Sequence, residues 1–250
     1  MMIRCCLILA FASAGLLPTQ VSAQTAPDIP RMANGKPDFT GVWDHPRVAD
    51  VTRNGNGCGA LSPGCKQEGN GELSFTAWGL QQWKDVEHRF DYSAHCLPWG
   101  YTRAWGTEYP GEIMQNPDRM AILWESNNIF HVVFTDGRSH PKDLEPTWMG
   151  HSIGKYDGDT LVIDTIGFNG RTWIDTAEHP SSDALHVVER YRYIDAQHIA
   201  YEVTWDDPKT YTKPITNKRI FTRMKPGQEL MEYWCMENNK DLLEGHLTRK

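Results

Sequence analysis

Residues 148–168 have the sequence W-M-G-H-S-I-G-K-Y-D-G-D-T-L-V-I-D-T-I-G-F, and this stretch decides the class of fold. An Asp-Gly pair at 157–158 separates two runs of β-prone residues, which is a strong short-range signal for a tight hairpin. The stretch also contains a G-x-S-x-G pattern around Ser152. A serine nucleophile in that pattern needs a helix directly after it. Because the hairpin follows Ser152 instead, we predict a β-ribbon here and not a hydrolase nucleophile.

The alternation of side chains along a strand decides which residues share a face of this hairpin. His151 and Asp164 each alternate with apolar residues, which predicts that both face the core. With the turn centred at 157–158, the two residues would lie directly opposite one another. An aspartate in that position can fix the tautomer of the imidazole and support its basicity. A functional pair and a purely structural pair are equally open at this point.

Candidate strands follow one another from residue 119 onward. They cover 119–126, 128–135, 148–156, 159–168, 185–194, 197–206, 217–224 and 229–237. Short strands at nearly regular spacing, joined by turn-forming residues, are typical of an antiparallel barrel or sandwich. We therefore expect a mainly β protein with a single antiparallel, lipocalin-like (calycin-like) β-barrel, one N-terminal helix and long loops.

The N-terminal part of the chain is mostly irregular. A short strand is expected over 39–44, and the loop 45–73 is rich in Gly, Asn, Pro and Ser. Apolar residues at near-helical spacing predict the one helix over 75–90, with Ser74 as its cap. Three prolines in 91–118 predict irregular structure.

The first residues have the pattern of an export signal. Residues 1–23 combine a positive start, an uncharged apolar run and small residues before a cleavage point. Residues 24–37 are polar and Pro-rich, which predicts an extended lead-in to a single domain over 38–250. We therefore expect a periplasmic or secreted protein. Later apolar runs are too short to span a membrane.

The charge of the chain limits its partners. Loss of residues 1–23 removes one arginine and would take the formal net charge from -7 to about -8. A mildly acidic chain without a basic block is a poor candidate for binding nucleic acid. We expect a small-molecule ligand, no nucleic acid and no membrane span, and a homodimer remains open.

Four cysteines follow the predicted signal. They are Cys58, Cys65, Cys96 and Cys235. An even number in an oxidising compartment predicts disulfides. We predict that Cys58 and Cys65 staple the loop 45–73, and that Cys96 pairs with Cys235. A four-cysteine zinc site is the less favoured alternative, because no C-x-x-C pair is present.

Glu189 lies on the apolar face of its predicted strand, together with Tyr191. A carboxylate there must be paired, hydrogen-bonded or raised in pKa by desolvation. A raised pKa suits a general acid or base near neutral pH. The structural alternative is a buried Glu–Arg pair that fastens the barrel, and it is slightly favoured.

Arg138 and His140 lie on a predicted loop that follows a strand. An arginine beside a histidine can hold an anion and pass a proton. A turn in which Asp136 and Arg138 satisfy local backbone groups is equally open. A metal held by histidines of separate strands, such as His131, His140, His151 and His186, is a further hypothesis. Because the chain lacks H-E-x-x-H, H-x-H, a phosphate loop and a dinucleotide motif, we expect neither a metal nor a cofactor.

Five segments together resemble a known family. They are P-D-F-T-G-V-W (37–43), D-G-R-S-H-P (136–141), G-H-S-I-G-K-Y-D-G-D-T-L-V-I-D-T-I-G-F (150–168), L-H-V-V-E-R-Y (185–191) and C-M-E-N-N (235–239). This combination resembles a large family of exported bacterial proteins without an assigned function. The resemblance implies an exported, single β-rich domain and no particular reaction. The loop 45–73 is outside the pattern.

These observations lead to one functional hypothesis and one alternative. We expect a cofactor-independent acid–base enzyme, a lyase, isomerase or hydrolase, that acts on a small aromatic molecule in a barrel cavity. The expected catalytic residues are His151, Asp164, Glu189 and His140, and the expected substrate-binding residues are Arg138, Tyr191 and Trp148. The alternative is a lipocalin-like periplasmic carrier that binds a small apolar ligand without turnover.

Overall fold

The computed structural model describes residues 28–62, 64–85, 91–237 and 239–245. The strands of this part of the chain are β1 (Gly41–Asp44), β2 (Gly57–Cys58), β3 (Gly111–Asn116), β4 (Arg119–Trp124), β5 (Ile129–Phe134), β6 (His151–Asp157), β7 (Thr160–Ile166), β8 (His186–Asp195), β9 (His198–Asp206) and β10 (Ile215–Arg223). Its α-helices are α1 (Val51–Asn54), α2 (Ala77–Lys84), α3 (Tyr101–Ala104) and α4 (Lys240–Leu243).

The strands form a closed barrel. In the described part of the chain, nine strands follow the order β1-β3-β4-β5-β6-β7-β8-β9-β10, and β10 pairs with β1 to close the sheet. The neighbours in this barrel are antiparallel except β5 and β6, which are parallel. The two-residue β2 adds to β10 in parallel. The expectation of a mainly β protein with a single barrel is confirmed.

Alternation of buried and partly exposed residues gives the barrel its two faces. In β8, Val187, Glu189, Tyr191 and Tyr193 are buried, and the intervening residues are exposed or intermediate. Residues paired across neighbouring strands belong to the same face, so these side chains point into the barrel with Leu161 of β7. Burial of each large apolar side chain stabilises the fold by roughly 1.5–3 kcal/mol.

Aromatic side chains fill the barrel interior. All four residues of α3 are buried, and this helix with the following residue brings Tyr101 and Trp105 among the inward-facing side chains. The ring of Trp105 lies 5.1 Å from that of Trp124 on β4 and 4.8 Å from that of Phe221 on β10. Rings therefore occupy the space in which we expected a ligand cavity.

The β6–β7 hairpin has a different register from the predicted one. Asp157 pairs with Thr160, so the two central residues of the turn are Gly158 and Asp159. Gly158 has φ = 59°. A two-residue hairpin turn with a positive φ at its first central position favours glycine there, because glycine has no Cβ atom. His151 consequently lies opposite Ile166 and not opposite Asp164. The direct His151–Asp164 pair predicted from the sequence is wrong.

Three further elements differ from the predictions. Strand β3 lies within 91–118, because Pro110 and Pro117 flank the strand and do not interrupt its ladder. Residues 229–237 form turns and irregular structure instead of a strand. Helix α2 is capped by the hydroxyl of Thr76, not by Ser74. The part of the predicted helix over 86–90 lies outside the described residues.

Two disulfides connect the irregular segments. Cys58 is bonded to Cys65 and Cys96 to Cys235, as predicted. Such bonds are compatible with an extracellular or periplasmic protein. No helix in the described part of the chain has the length and apolar character that crossing a membrane requires. The predicted signal, residues 1–23, lies outside the described residues.

Candidate functional site

Four ionisable side chains meet on the outer face of the barrel: His140, His151, Asp164 and His186. We call this group the histidine cluster. His151, Asp164 and His186 come from the adjacent strands β6, β7 and β8, and His140 comes from the connection between β5 and β6. Three of the four side chains therefore stand on a rigid sheet, where their separations are set by the strand pairing.

His140 lies at the centre of the histidine cluster. Its Nδ1 atom is 2.8 Å from Nδ1 of His151, and its Nε2 atom is 2.9 Å from Oδ1 of Asp164. The other carboxylate oxygen, Oδ2, is 2.8 Å from Nε2 of His186. The side chains thus form one continuous hydrogen-bonded chain from His151 through His140 and Asp164 to His186.

The close contact between the two Nδ1 atoms restricts the protonation of the pair. One nitrogen must donate and the other must accept, so His140 and His151 cannot both be imidazolium ions in this arrangement. A neutral His140 that donates Nε2–H to Asp164 accepts the Nδ1–H of His151. The Nε2 atom of His151 then carries a lone pair.

His151 has the electrostatic environment of a base. Partial burial lowers its pKa below the ordinary value of 6.5, and the charges of His140 and Arg138 lower it further. Phe134 stacks against the imidazole with ring centroids 5.6 Å apart. Since His151 is only partly buried, solutes can reach it at neutral pH in its unprotonated form.

Glu189 and Tyr191 face the barrel interior, on the opposite side of the sheet from the histidine cluster. Glu189 pairs with the inward-facing Ile163, whereas Asp164 pairs with Val188 on the outer face. The expectation that His151, Asp164 and Glu189 face one cavity is therefore wrong. A strand covered on both sides carries apolar residues on both faces, so apolar neighbours do not identify the interior.

Three tyrosine hydroxyls hold the fully buried Glu189 carboxylate. Tyr201 donates at 2.7 Å, Tyr191 at 3.1 Å, and Tyr101 donates to the other oxygen. Burial raises the pKa of Glu189, and the tyrosine hydrogen bonds oppose that rise. Glu189 thus fastens the inserted segment around Tyr101 to β8 and β9. The anticipated Glu–Arg pair is replaced by tyrosines, since Arg219 donates to backbone carbonyls.

Ser152 of the G-x-S-x-G pattern is fully buried in the barrel wall. Its Oγ atom lies 2.5 Å from Nε2 of His131 and 2.5 Å from Oγ1 of Thr165. Burial lowers the pKa of His131 to about 3, so this histidine is neutral. Ser152 is inside β6, a strand, and has no helix after it. The serine is therefore a structural hydrogen-bonding residue.

Of the two predicted substrate-binding residues Arg138 and Trp148, Arg138 acts on the histidine cluster through its charge, and Trp148 packs against a residue outside the cluster. Arg138 contributes to the potential at His151, but its guanidinium donates to both oxygens of Asp136 and stacks 3.9 Å from the ring of Phe134. The carboxylate of Asp136 offsets much of its charge. Trp148 packs against Tyr92, with ring centroids 5.2 Å apart.

The sequence did not single out another group, Asp50, Asp175 and His179. One carboxylate or imidazole atom from each lies within 4.8 Å of the others, so these residues could hold a metal ion. Asp175 and His179 form a buried hydrogen-bonded pair. They are four residues apart in an irregular segment, where spacing carries no information about contact. From the sequence, His186 is a candidate only as a metal ligand, whereas in the structure its Nε2 atom lies 2.8 Å from Asp164.

No family model matches the chain, and no curated protein matches it either. The resemblance to exported proteins of unassigned function therefore rests on the quoted motifs. Three of those motifs, 136–141, 150–168 and 185–191, supply all four members of the histidine cluster.

Proposed function

We propose that this protein is an exported acid–base enzyme that transfers protons to and from a small aromatic molecule, with His151 as the reacting group. The observation that carries the proposal is the unbroken hydrogen-bonded chain from His151 through His140 to Asp164. A partly exposed imidazole with a lowered pKa at the end of such a chain has the properties of a general base.

The chain supplies a route for the proton. His151 accepts a proton from the substrate on Nε2 and becomes an imidazolium ion. Its Nδ1 proton can then pass over 2.8 Å to Nδ1 of His140. The resulting charge on His140 lies beside the Asp164 carboxylate, which stabilises it. Reversal of these steps returns the proton, so the same groups serve as base and acid.

His186 and Asp164 have positioning roles in this proposal. His186 holds the second oxygen of Asp164, which orients the first oxygen toward His140. A ligating or catalytic histidine commonly depends on a carboxylate partner that fixes its ring and tautomer. Neither residue needs to touch the substrate.

The substrate would lie against the outer face of the barrel beside His151. His151 and Arg138 both stack on the ring of Phe134, and the aromatic substrate would join this stack. This surface suits a small aromatic molecule. Elimination, isomerisation and hydrolysis all require a proton to be removed and returned, and we propose a reaction of this group. The two disulfides and the signal-like residues 1–23 support an exported location.

Proton exchange in heavy water tests the proposal. The full chain would be incubated in D2O with small aromatic ketones, aldehydes and β-aryl alcohols, and NMR would follow deuterium incorporation and product formation. His151→Asn should lower the rate by about 100-fold or more, the usual contribution of a general base. His140→Gln should lower it less and alter its pH dependence.

His198→Gln is the matched control. His198 of β9 is also hydrogen-bonded to an aspartate, Asp195, and among the described residues no hydrogen bond joins it to the histidine cluster. Its variant should retain the wild-type rate. The proposal is wrong if His151→Asn exchanges as fast as the wild type, or if the wild type transforms none of these compounds.

A further inference from the structure

A groove of about 600 Å³ lies outside the barrel, between α1, α2 and the connection that joins β7 to β8. Its apolar wall is formed by Leu73, Phe75, Leu80 and Trp83. His179 of the β7–β8 connection lines the same groove. None of these residues belongs to the histidine cluster, so the groove is a separate feature of the molecule.

The tautomer of His179 is determined by a buried aspartate. Asp175 is almost fully buried, and its Oδ2 atom lies 2.7 Å from Nδ1 of His179. The same oxygen accepts the backbone N–H of Val51 at 2.8 Å, and Oδ1 accepts the backbone N–H of His179. Because the Asp175 carboxylate accepts from Nδ1, the neutral imidazole of His179 carries its proton on Nδ1 and presents Nε2 as an acceptor.

The remaining nitrogen of His179, Nε2, has no hydrogen-bonding partner in the described part of the chain. Among the described residues, no hydrogen bond is made to Nε2 of His179, although the residue is only 3% exposed. This nitrogen is not among the fully enclosed polar atoms that lack a partner, so it is open to the groove, where a ligand or water can satisfy it. The lining position of His179 gives a ligand in the groove access to it.

Aromatic rings surround this imidazole. The ring of Trp83 lies 5.4 Å from that of His179 with an interplanar angle of 26°, and Phe75 stacks on Trp83 at 5.1 Å. Trp83 nevertheless remains 39% exposed, which leaves part of its ring available. An available indole beside an acceptor that is open to the groove favours a flat ligand with a donor at one end.

The backbone before His179 is strained. Glu178 has φ = 69°, in the left-handed region that non-glycine residues seldom adopt. Such conformations persist where surrounding contacts enforce them and cluster at ligand sites. At this position the strain accompanies the placement of the imidazole between Asp175 and the aromatic wall.

We infer that this groove is a second ligand site, which binds a small uncharged aromatic molecule that carries a hydroxyl group. The aromatic ring of the ligand packs against Trp83, and its hydroxyl donates to Nε2 of His179. Asp50, Arg53 and Glu72 also line the groove. Arg53 lies 3.3 Å from Asp50 and offsets its charge, so the Glu72 carboxylate leaves the lining with a net negative charge that disfavours anionic ligands. The inference goes beyond the proposed function, because it assigns a different site and does not require turnover.

Fluorine NMR titrations with 4-fluorophenol and 4-fluoroanisole test the inference. The two probes share size and ring, and only the phenol can donate a hydrogen bond. The wild type should bind the phenol about tenfold more tightly than the anisole. Trp83→Leu should weaken binding of both probes by about fivefold or more, because the ring loses its stacking surface.

His179→Phe keeps an aromatic ring and removes the acceptor. It should lower the affinity for 4-fluorophenol to that for 4-fluoroanisole, while His198→Phe, which also removes an aspartate-bonded histidine, should change neither affinity. If His179→Phe fails to fold, the inference is still tested by the ratio of the wild-type affinities for the two probes and by the binding of both probes to Trp83→Leu. Equal affinities of the wild type for both probes, undetectable binding of 4-fluorophenol, or unchanged binding by Trp83→Leu would overturn the inference.

His151→Asn separates this inference from the proposed function. That variant should bind 4-fluorophenol as the wild type does, because His151 is not part of the groove. A loss of fluorophenol affinity in His151→Asn would place the binding at the histidine cluster and overturn the second site. A loss of proton exchange with unchanged fluorophenol binding would support both proposals independently.

Discussion

The Nδ1 atoms of His140 and His151 lie 2.8 Å apart, so a residue of a loop is inserted between a strand histidine and the aspartate expected to bind it. The loop residue converts what would be a single pair into a relay of three groups. Its ring carries hydrogen bonds on both nitrogens, and each change of protonation at His151 therefore affects Asp164 through His140.

The first prediction concerns the titration of His151. His140→Gln should raise the pKa of His151, because burial and then repulsion from the protonated form of His140 lower it in the wild type, and the variant removes the second of these causes. NMR of the imidazole Cε1–H signal measures the midpoint directly. In the wild type this midpoint should lie below 6.5. An unchanged or lower midpoint in His140→Gln would contradict the electrostatic coupling between His140 and His151. The control variant His198→Gln should leave the midpoint of His151 unchanged.

The second prediction concerns Ser152. A fluorophosphonate probe should not label Ser152, because its hydroxyl is fully buried between His131 and Thr165. Ser152→Ala should instead lower the free energy of unfolding by about 1–3 kcal/mol, since two buried groups lose a partner. Mass spectrometry of the labelled protein and urea denaturation measure the two effects. Labelling at Ser152 would restore the hydrolase interpretation.

The third prediction compares two glutamates on neighbouring strands. Glu189→Gln should lower the free energy of unfolding by about 2–4 kcal/mol, because a buried carboxylate that accepts three hydroxyl donors is replaced by a neutral amide. Glu202→Gln on β9 is the matched control. The side chain of Glu202 is 36% exposed and lies 3.4 Å from Lys218, so this variant should lower the free energy of unfolding by less than about 1 kcal/mol. Equal losses in urea denaturation would show that the tyrosine contacts do not stabilise the barrel.

The fourth prediction concerns acid stability. Burial lowers the pKa of His131 to about 3, whereas the unfolded chain has a value near 6.5. Between these values the unfolded state binds a proton that the folded state does not. The stabilisation that the neutral His131 gives to the folded state is therefore complete above pH 6.5. As the pH falls toward 3, the free energy of unfolding decreases by up to about 1.4 kcal/mol per pH unit through this group.

His131→Gln should flatten this acid dependence. Urea denaturation at several pH values between 6.5 and 4 would give the slope of the unfolding free energy for the wild type and for the variant. The variant should have the smaller slope, whatever its stability at pH 7. A variant slope equal to that of the wild type would mean that His131 is protonated in the folded barrel.

Local patterns were sufficient for the β architecture. Asp157-Gly158 between two β-prone runs predicts the hairpin, and the hairpin forms. The turn, however, places Gly158 at its first central position, where a positive φ is needed, and this moves the pairing by two residues. A shift of two preserves the face of every side chain, so His151 and Asp164 still share one side of the sheet.

The inner and outer faces could not be told apart from alternation. Glu189 and Asp164 both alternate with apolar residues, yet one is inside the barrel and the other outside. Apolar residues occur on both faces because aromatic side chains fill the interior and connections cover parts of the exterior. Only the assembled barrel distinguishes the two environments.

The sequence by itself determined a mainly β barrel, the four cysteines available for two disulfides and the residues that carry ionisable groups, because hairpin signals and alternation are local properties and residue types are read directly. The tertiary structure decided that His140 joins His151 to Asp164, that Glu189 is enclosed by tyrosines, and that Asp175 orients His179 beside a groove. These contacts depend on how the strands pair around the barrel and where long connections return to it. Residues distant along the chain are brought within hydrogen-bonding distance only when the sheet closes, and no local pattern records that distance.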